Sequence, residues 1–306
     1  VTTAVAGRIE EMFEVKQPKP KNGLSERAMT VSLHLSAWRG QRIDRQTTKE
    51  VLAERHASAD AGRFEKNLVP PKALEQVGKA HTQARQRNYR LTSPWGDENV
   101  RILNSAMFFE YSNAMQEERA NCERTYREFC ASYPQYLAEA PARLGVKLFD
   151  ASDFPSVTEI ESKFGFALVI LPVPDKDDFR VALGDEIESE IRESIERTVT
   201  NRLAIAQQDL WTRVLDTVKH FAQTMKEGDK VFRDTTVTKL ADLARLAPKL
   251  SLASDPKLEE ICADVLRIAD GLDPEDLRTN KRIRSQAASE AQKALAKIED
   301  AMKGAF

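Results

Sequence analysis

Between residues 185 and 225 an apolar side chain returns at every third or fourth position. Ile187, Ile191, Ile195, Val199, Leu203, Ala206, Leu210, Val214, Val218, Phe221 and Met225 make an unbroken stripe. Strands repeat every second residue, so this spacing specifies one long amphipathic helix, with Gly228 as its stop. A second stripe runs through Phe108, Tyr111, Met115, Cys122, Tyr126, Phe129, Tyr133 and Tyr136 or Leu137. It predicts a helix of roughly 40 residues that begins after a turn at Gly96–Asp97 and ends near Pro141. The two long helices can pair as an antiparallel hairpin.

Composition agrees with helix. Only 12 Gly and 13 Pro occur in 306 residues, and 31% of residues are charged. Further helices are expected at 44–62, from the Pro70–Pro71 pair to about Tyr89, and at 235–250. Two more start at Asp255–Pro256 and Asp273–Pro274, where Asp caps the helix and Pro takes its first position. Where Val31, Leu33 and Leu35 alternate the readings are a strand or a helix beginning nearby, and a strand is expected in the run Phe166–Leu171. The latter is expected to form a β-hairpin with Phe179–Leu183. The fold class expected is mainly α: an elongated helical bundle on two long antiparallel helices, with a small α/β insertion. The expected divisions are an N-terminal arm with a Pro/Lys linker (1–22), a helical region (23–145), the insertion (146–184) and a second helical region (185–306).

Several functions are disfavoured. There is no GxxxxGK[ST], no GxGxxG and no HExxH. A net charge of −2 argues against a globally basic nucleic-acid binder. No apolar run is long enough for a membrane helix, and the N-terminus carries acidic residues without the apolar stretch of a secretory signal. Cys122, Cys130 and Cys262 have no metal-ligand spacing and read as buried core residues of a protein from a reducing cytoplasm. The four histidines have no second ligand near them in sequence, and no cofactor, metal site or catalytic residue is expected.

Two basic clusters remain as binding candidates. One holds Lys79, Arg85, Arg87 and Arg90, with Tyr89 as a stacking aromatic; the other holds Arg278, Lys281, Arg282 and Arg284. Cations beside an aromatic suit sequence-tolerant binding of single strands. The densest aromatic stretch, Tyr89–Met115, reads as a packing knot or partner corner built on Trp95, Phe108, Phe109 and Tyr111. Because Phe109 is rotated about 100° from Phe108, the start of that helix is expected to be covered on more than one side.

The segments LTSPWGDENVRILNSAMFFEYSNAM, FPSVTEIESKFGFALVILPVP and LARLAPKLSLASDPKLEEICADVLRIADGLDPEDLRTNKRIR occur here in that order. Together they resemble a family of uncharacterised proteins of tailed bacteriophages and prophages, over about residues 30–290. The first 22 residues lie outside the likeness. That family is often encoded near MoxR-type AAA ATPases and proteins with a von Willebrand A-like domain. The resemblance implies an accessory protein of the host bacterial cytoplasm, adaptor or client of such an ATPase, and it transfers no functional residues. The expected role is a non-enzymatic interaction or scaffold protein that binds protein partners and self-associates. Nucleic-acid binding in phage DNA metabolism, as single-strand binding or annealing, is the alternative.

Overall fold

The computed structural model describes residues 23–96, 99–178, 185–226 and 234–305. After a short α1 (Leu24–Arg27), β1 (Ala28–Ser36) leads into β2 (Gln41–Ile43), α2 (Arg45–Glu54) and β3 (Glu65–Asn67). Then come α3 (Glu75–Leu91), β4 (Ser93–Pro94), β5 (Val100–Asn104), α4 (Phe108–Leu148), α5 (Val157–Glu161) and β6 (Gly165–Pro172). The rest is helical: α6 (Asp185–Lys226), α7 (Thr235–Leu250), α8 (Pro256–Asp270), α9 (Pro274–Thr279) and α10 (Lys281–Ala305). The mainly helical class and both long helices are as the periodicity requires.

The strands make a four-stranded antiparallel sheet in the order β4-β5-β1-β6, with β2 and β3 as a separate pair. β1 alternates between two interiors, as a strand must. Val31 and Leu33 face α3 and α4, in a core with Tyr111, Met115, Phe129 and Tyr133. Ala28 faces the opposite way, with Ile102, Trp95, Val173 and Ala206 of α6. The second half of α6 leaves the sheet and enters a third core with α7, α8, α9 and α10. Its buried positions Leu210, Val214, Val218, Phe221 and Met225 are no more than 3% exposed. Each aliphatic side chain fully buried in this way contributes about 1.5–3 kcal/mol.

Several expectations change. The long helices do not pair with each other: α4 packs chiefly on α3, and α6 on α10 and α7. The cause is the sheet, which takes α4 on one face and α6 on the other. The strand Phe166–Leu171 exists, but its partner is β1, in a register from Met29↔Pro172 to Ser36↔Gly165. Segment 146–184 therefore supplies a strand to a sheet shared with 23–145. The expected second arm, Phe179–Leu183, lies outside the described residues, as do the arm 1–22, the Asp97 cap and the Gly228 stop. β5 was not anticipated; its adjacent Ile102 and Leu103 are both buried, on opposite faces, which hides the alternation. α2 stops at Glu54, well before Gly62. α4 runs past Pro141 and breaks at Gly145, whose φ of 71° is costly for any residue with a Cβ.

Both Asp–Pro starts are observed. The Asp255 carboxylate accepts from the Lys257 and Leu258 amides, and that of Asp273 from the Glu275 amide. α5 opens with a full capping box between Ser156 and Glu159.

Candidate functional site

An apolar surface with little protection is the outer edge of β6. Among the described residues this strand pairs on one side only, with β1. Both ends are fastened. Phe166 is buried with the Arg119 guanidinium 5.0 Å above its ring, and the Gly165 carbonyl accepts from the Tyr126 hydroxyl at 3.4 Å. Beyond the other end, Val173 is 1% exposed beside Trp95 in the second-face core. Between these anchors Val169 (41%), Ile170 (39%) and Leu171 (57%) meet solvent. The strand GFALVILP carries no charged side chain.

The first half of α6 adjoins this edge. Lys176, just past β6, bonds Glu196 of α6 at 3.2 Å. Here the apolar stripe is only partly covered: Ile191, Ile195, Val199 and Leu203 are half-buried, and Ile187 is 52% exposed. From Ala206 onward the same stripe is buried.

The fastening network on the inner side carries a buried titratable group. His81 Nε2 lies 2.5 Å from the Tyr126 hydroxyl. Burial first, and the nearby Arg85 charge second, lower the imidazole pKa. Burial chiefly raises the thiols of Cys122 and Cys130, and pushes that of Cys262 up to about 12, so none is an activated nucleophile. Among the described residues no three His, Cys, Asp or Glu side chains group to hold a metal ion.

The aromatic corner is mostly interior. Trp95 is 3% exposed, and Tyr111 is fully buried with its hydroxyl donating to Asn88 Oδ1 at 2.8 Å. Phe108 is half-buried. Phe109 is 78% exposed and makes a ring contact with Phe108, so the expectation that this helix start is covered on more than one side is corrected. One residue further along an α-helix is a turn of about 100°, which carries the Phe109 ring away from the sheet and α3.

The basic residues are distributed over separate surfaces. On α3, Lys79 pairs with Glu75 at 2.6 Å and Arg87 with Glu117 at 3.4 Å; Arg85 and Arg90 are exposed. Tyr89 already has the Arg101 guanidinium 4.7 Å over its ring, so that face is not open to a base. In the other cluster Arg278 pairs with Glu275 and Asp234, Arg284 is 8% exposed, and Lys281 and Arg282 are exposed. Arg90 shares a cavity with Lys239, Leu243, Leu246 and Lys249 along α7, and Asp234, the partner of Arg278, immediately precedes α7. Arg90 thus lies along α7, and Arg278 beside the residue that precedes it.

The β6 edge is only faintly marked in the sequence. Its one available signal was a continuous apolar run without a charge, closed by a Pro suited to an edge. No helix among the described residues is long and apolar enough to cross a membrane. No protein family, curated protein or solved structure matches this chain.

Proposed function

We propose that this chain is a non-enzymatic interaction protein that self-associates by strand pairing at β6. The observation that carries this reading is the exposed, uncharged edge Val169–Ile170–Leu171. Monomeric proteins protect such edges with charges, bulges or covering elements, because unpaired amides and carbonyls template another strand. A second copy supplies the matching partner: two β6 strands meeting antiparallel about a twofold axis join two four-stranded sheets into one. The half-covered stripe Ile187–Ile191–Ile195 beside it adds apolar area to the same contact.

The likeness to phage and prophage proteins leads to the same class of role, an accessory adaptor or client of an AAA ATPase in the host bacterial cytoplasm. Nucleic-acid binding through α3 or α10 has less support, because Lys79, Arg87 and Arg278 already have acidic partners and Tyr89 is already capped by Arg101.

Sedimentation across a wide concentration range tests the proposal. The natural protein is expected to dimerise. Ile170→Lys, which puts a charge on the edge, is expected to sediment as a monomer with an unchanged circular dichroism spectrum. A natural protein that stays monomeric throughout, or a lysine variant that associates equally well, sinks the idea.

A further inference from the structure

Away from β6, β2, β3, the start of α2 and the end of α4 enclose a cavity of about 1170 Å³. Two glycines shape its walls. Gly40 has a φ of 67°, and a Cβ there would lie 2.8 Å from Val69 Cγ2, so the turn carrying Arg39 into β2 requires glycine. Gly145 breaks α4, after which the chain turns so that the Leu148 carbonyl accepts from Lys66 Nζ at 2.7 Å.

Lys66 is the strut of the cavity. It is 5% exposed and also binds Asp44 at 2.9 Å and Asp153 at 2.5 Å, which accounts for all three ammonium protons. Asp153 also receives Arg42 at 2.9 Å, and Asp44 caps α2 at the Thr47 amide. The Thr47 amide first, and Lys66 second, hold the Asp44 carboxyl at about 2. Lys66 and Arg42 are therefore neutralised internally by Asp44 and Asp153. Of the other two acids in the lining, Glu65 pairs with Arg63 at 3.5 Å, and Asp150 accepts from Ser152 and keeps its negative charge.

Three cations of the lining remain against the single carboxylate of Asp150. Arg39 comes from the β1–β2 turn, Arg45 from the first turn of α2 and Lys147 from the end of α4. All three are exposed, and none has an acidic partner among the described residues. Three like charges brought to one concavity from three separate elements repel one another. A multiply charged anion relieves that repulsion, and the amide end of α2 adds to the same potential. Guanidinium forks match phosphate oxygens in geometry. The volume exceeds what one phosphate fills and suits a nucleotide-sized molecule. Half-buried Phe149 and exposed Ile43 give the lining an apolar side.

We propose that this cleft binds the oligophosphate group of a nucleotide-sized ligand, with Arg39, Arg45 and Lys147 as its phosphate contacts. Lys66 is a positioning residue that holds the walls together. The site is independent of the β6 edge.

Calorimetry and thermal melting with inorganic tripolyphosphate, and with nucleoside di- and triphosphates, test this at low and physiological salt. Two variants are compared: Arg39→Gln/Arg45→Gln/Lys147→Gln, and Arg85→Gln/Arg90→Gln as an equally exposed control on α3. Triphosphates are expected to bind and raise the melting temperature. The cleft variant is expected to bind about tenfold or more weakly, as loss of a charge-assisted contact implies, with the control unchanged. Equal affinity for tripolyphosphate and nucleotides would assign recognition to the phosphates alone, and tighter nucleotide binding would add the apolar side. Absence of binding at low salt, undiminished binding by the cleft variant, or equal loss in the control would overturn the proposal.

Discussion

At the scale of single residues, Lys66 couples stability to the cleft. Burial by itself would lower its pKa; the hydrogen bonds it donates to Asp153 and Asp44 outweigh that and raise it. Lys66→Met leaves Asp44 without a cation and Asp153 with Arg42 alone and is expected to cost about 3 kcal/mol in chemical denaturation, whereas Lys66→Met/Asp44→Asn is expected to recover much of the loss. A variant as stable as the natural protein would show that the strut carries no load. His81 makes the opposite kind of prediction. Its folded-state pKa lies below the ordinary 6.5, so the unfolded chain binds the proton first as pH falls. Stability is therefore full above pH 6.5 and declines as pH drops from there toward the lowered folded value. His81→Gln is expected to flatten that decline, as followed by denaturation midpoints at a series of pH values. None of this was legible in the sequence, because residues 44, 66 and 153 come together only through the fold and His81 meets Tyr126 across two helices.

At the scale of elements, the sequence was most informative where one element decides its own burial pattern. The stripe of α4 is buried at Tyr111, Met115, Cys122, Tyr126, Phe129 and Tyr133, as the 3.6-residue period demands. The Asp–Pro starts of α8 and α9 are equally local and equally readable. Pairing between strands is not local. Nothing in Phe166–Leu171 says that a partner lies more than a hundred residues upstream, and the nearest apolar run, Phe179–Leu183, lies outside the described residues. The basic clusters show the same limit: their charges are plain in the sequence, but the ion pairs of Arg87 with Glu117 and of Arg278 with Asp234 and the Arg101 cap on Tyr89 are tertiary facts. The β6 edge gives the lysine substitution proposed above its logic. A charge on an edge strand costs little within the monomer and removes the template for a second strand.

At the scale of the whole molecule, α6 is shared. Its middle lies against the sheet through Ala206, and its second half lies in the helical bundle. The two layers are therefore expected to open together. Hydrogen exchange should give the most protected amides of β1 and of α8 similar opening free energies, and widely different values would mean that α6 does not couple them. The same distribution of cores sets an order for synthesis. Every buried member of the core between the sheet and α4 lies between Val31 and Phe166, whereas the bundle core needs residues from Leu210 to Ala301. On a ribosome the first core has all its parts while the bundle is still being made. During that interval the sheet's second face and the β6 edge stand open together, so the nascent chain passes through its most adhesive state before α6 arrives.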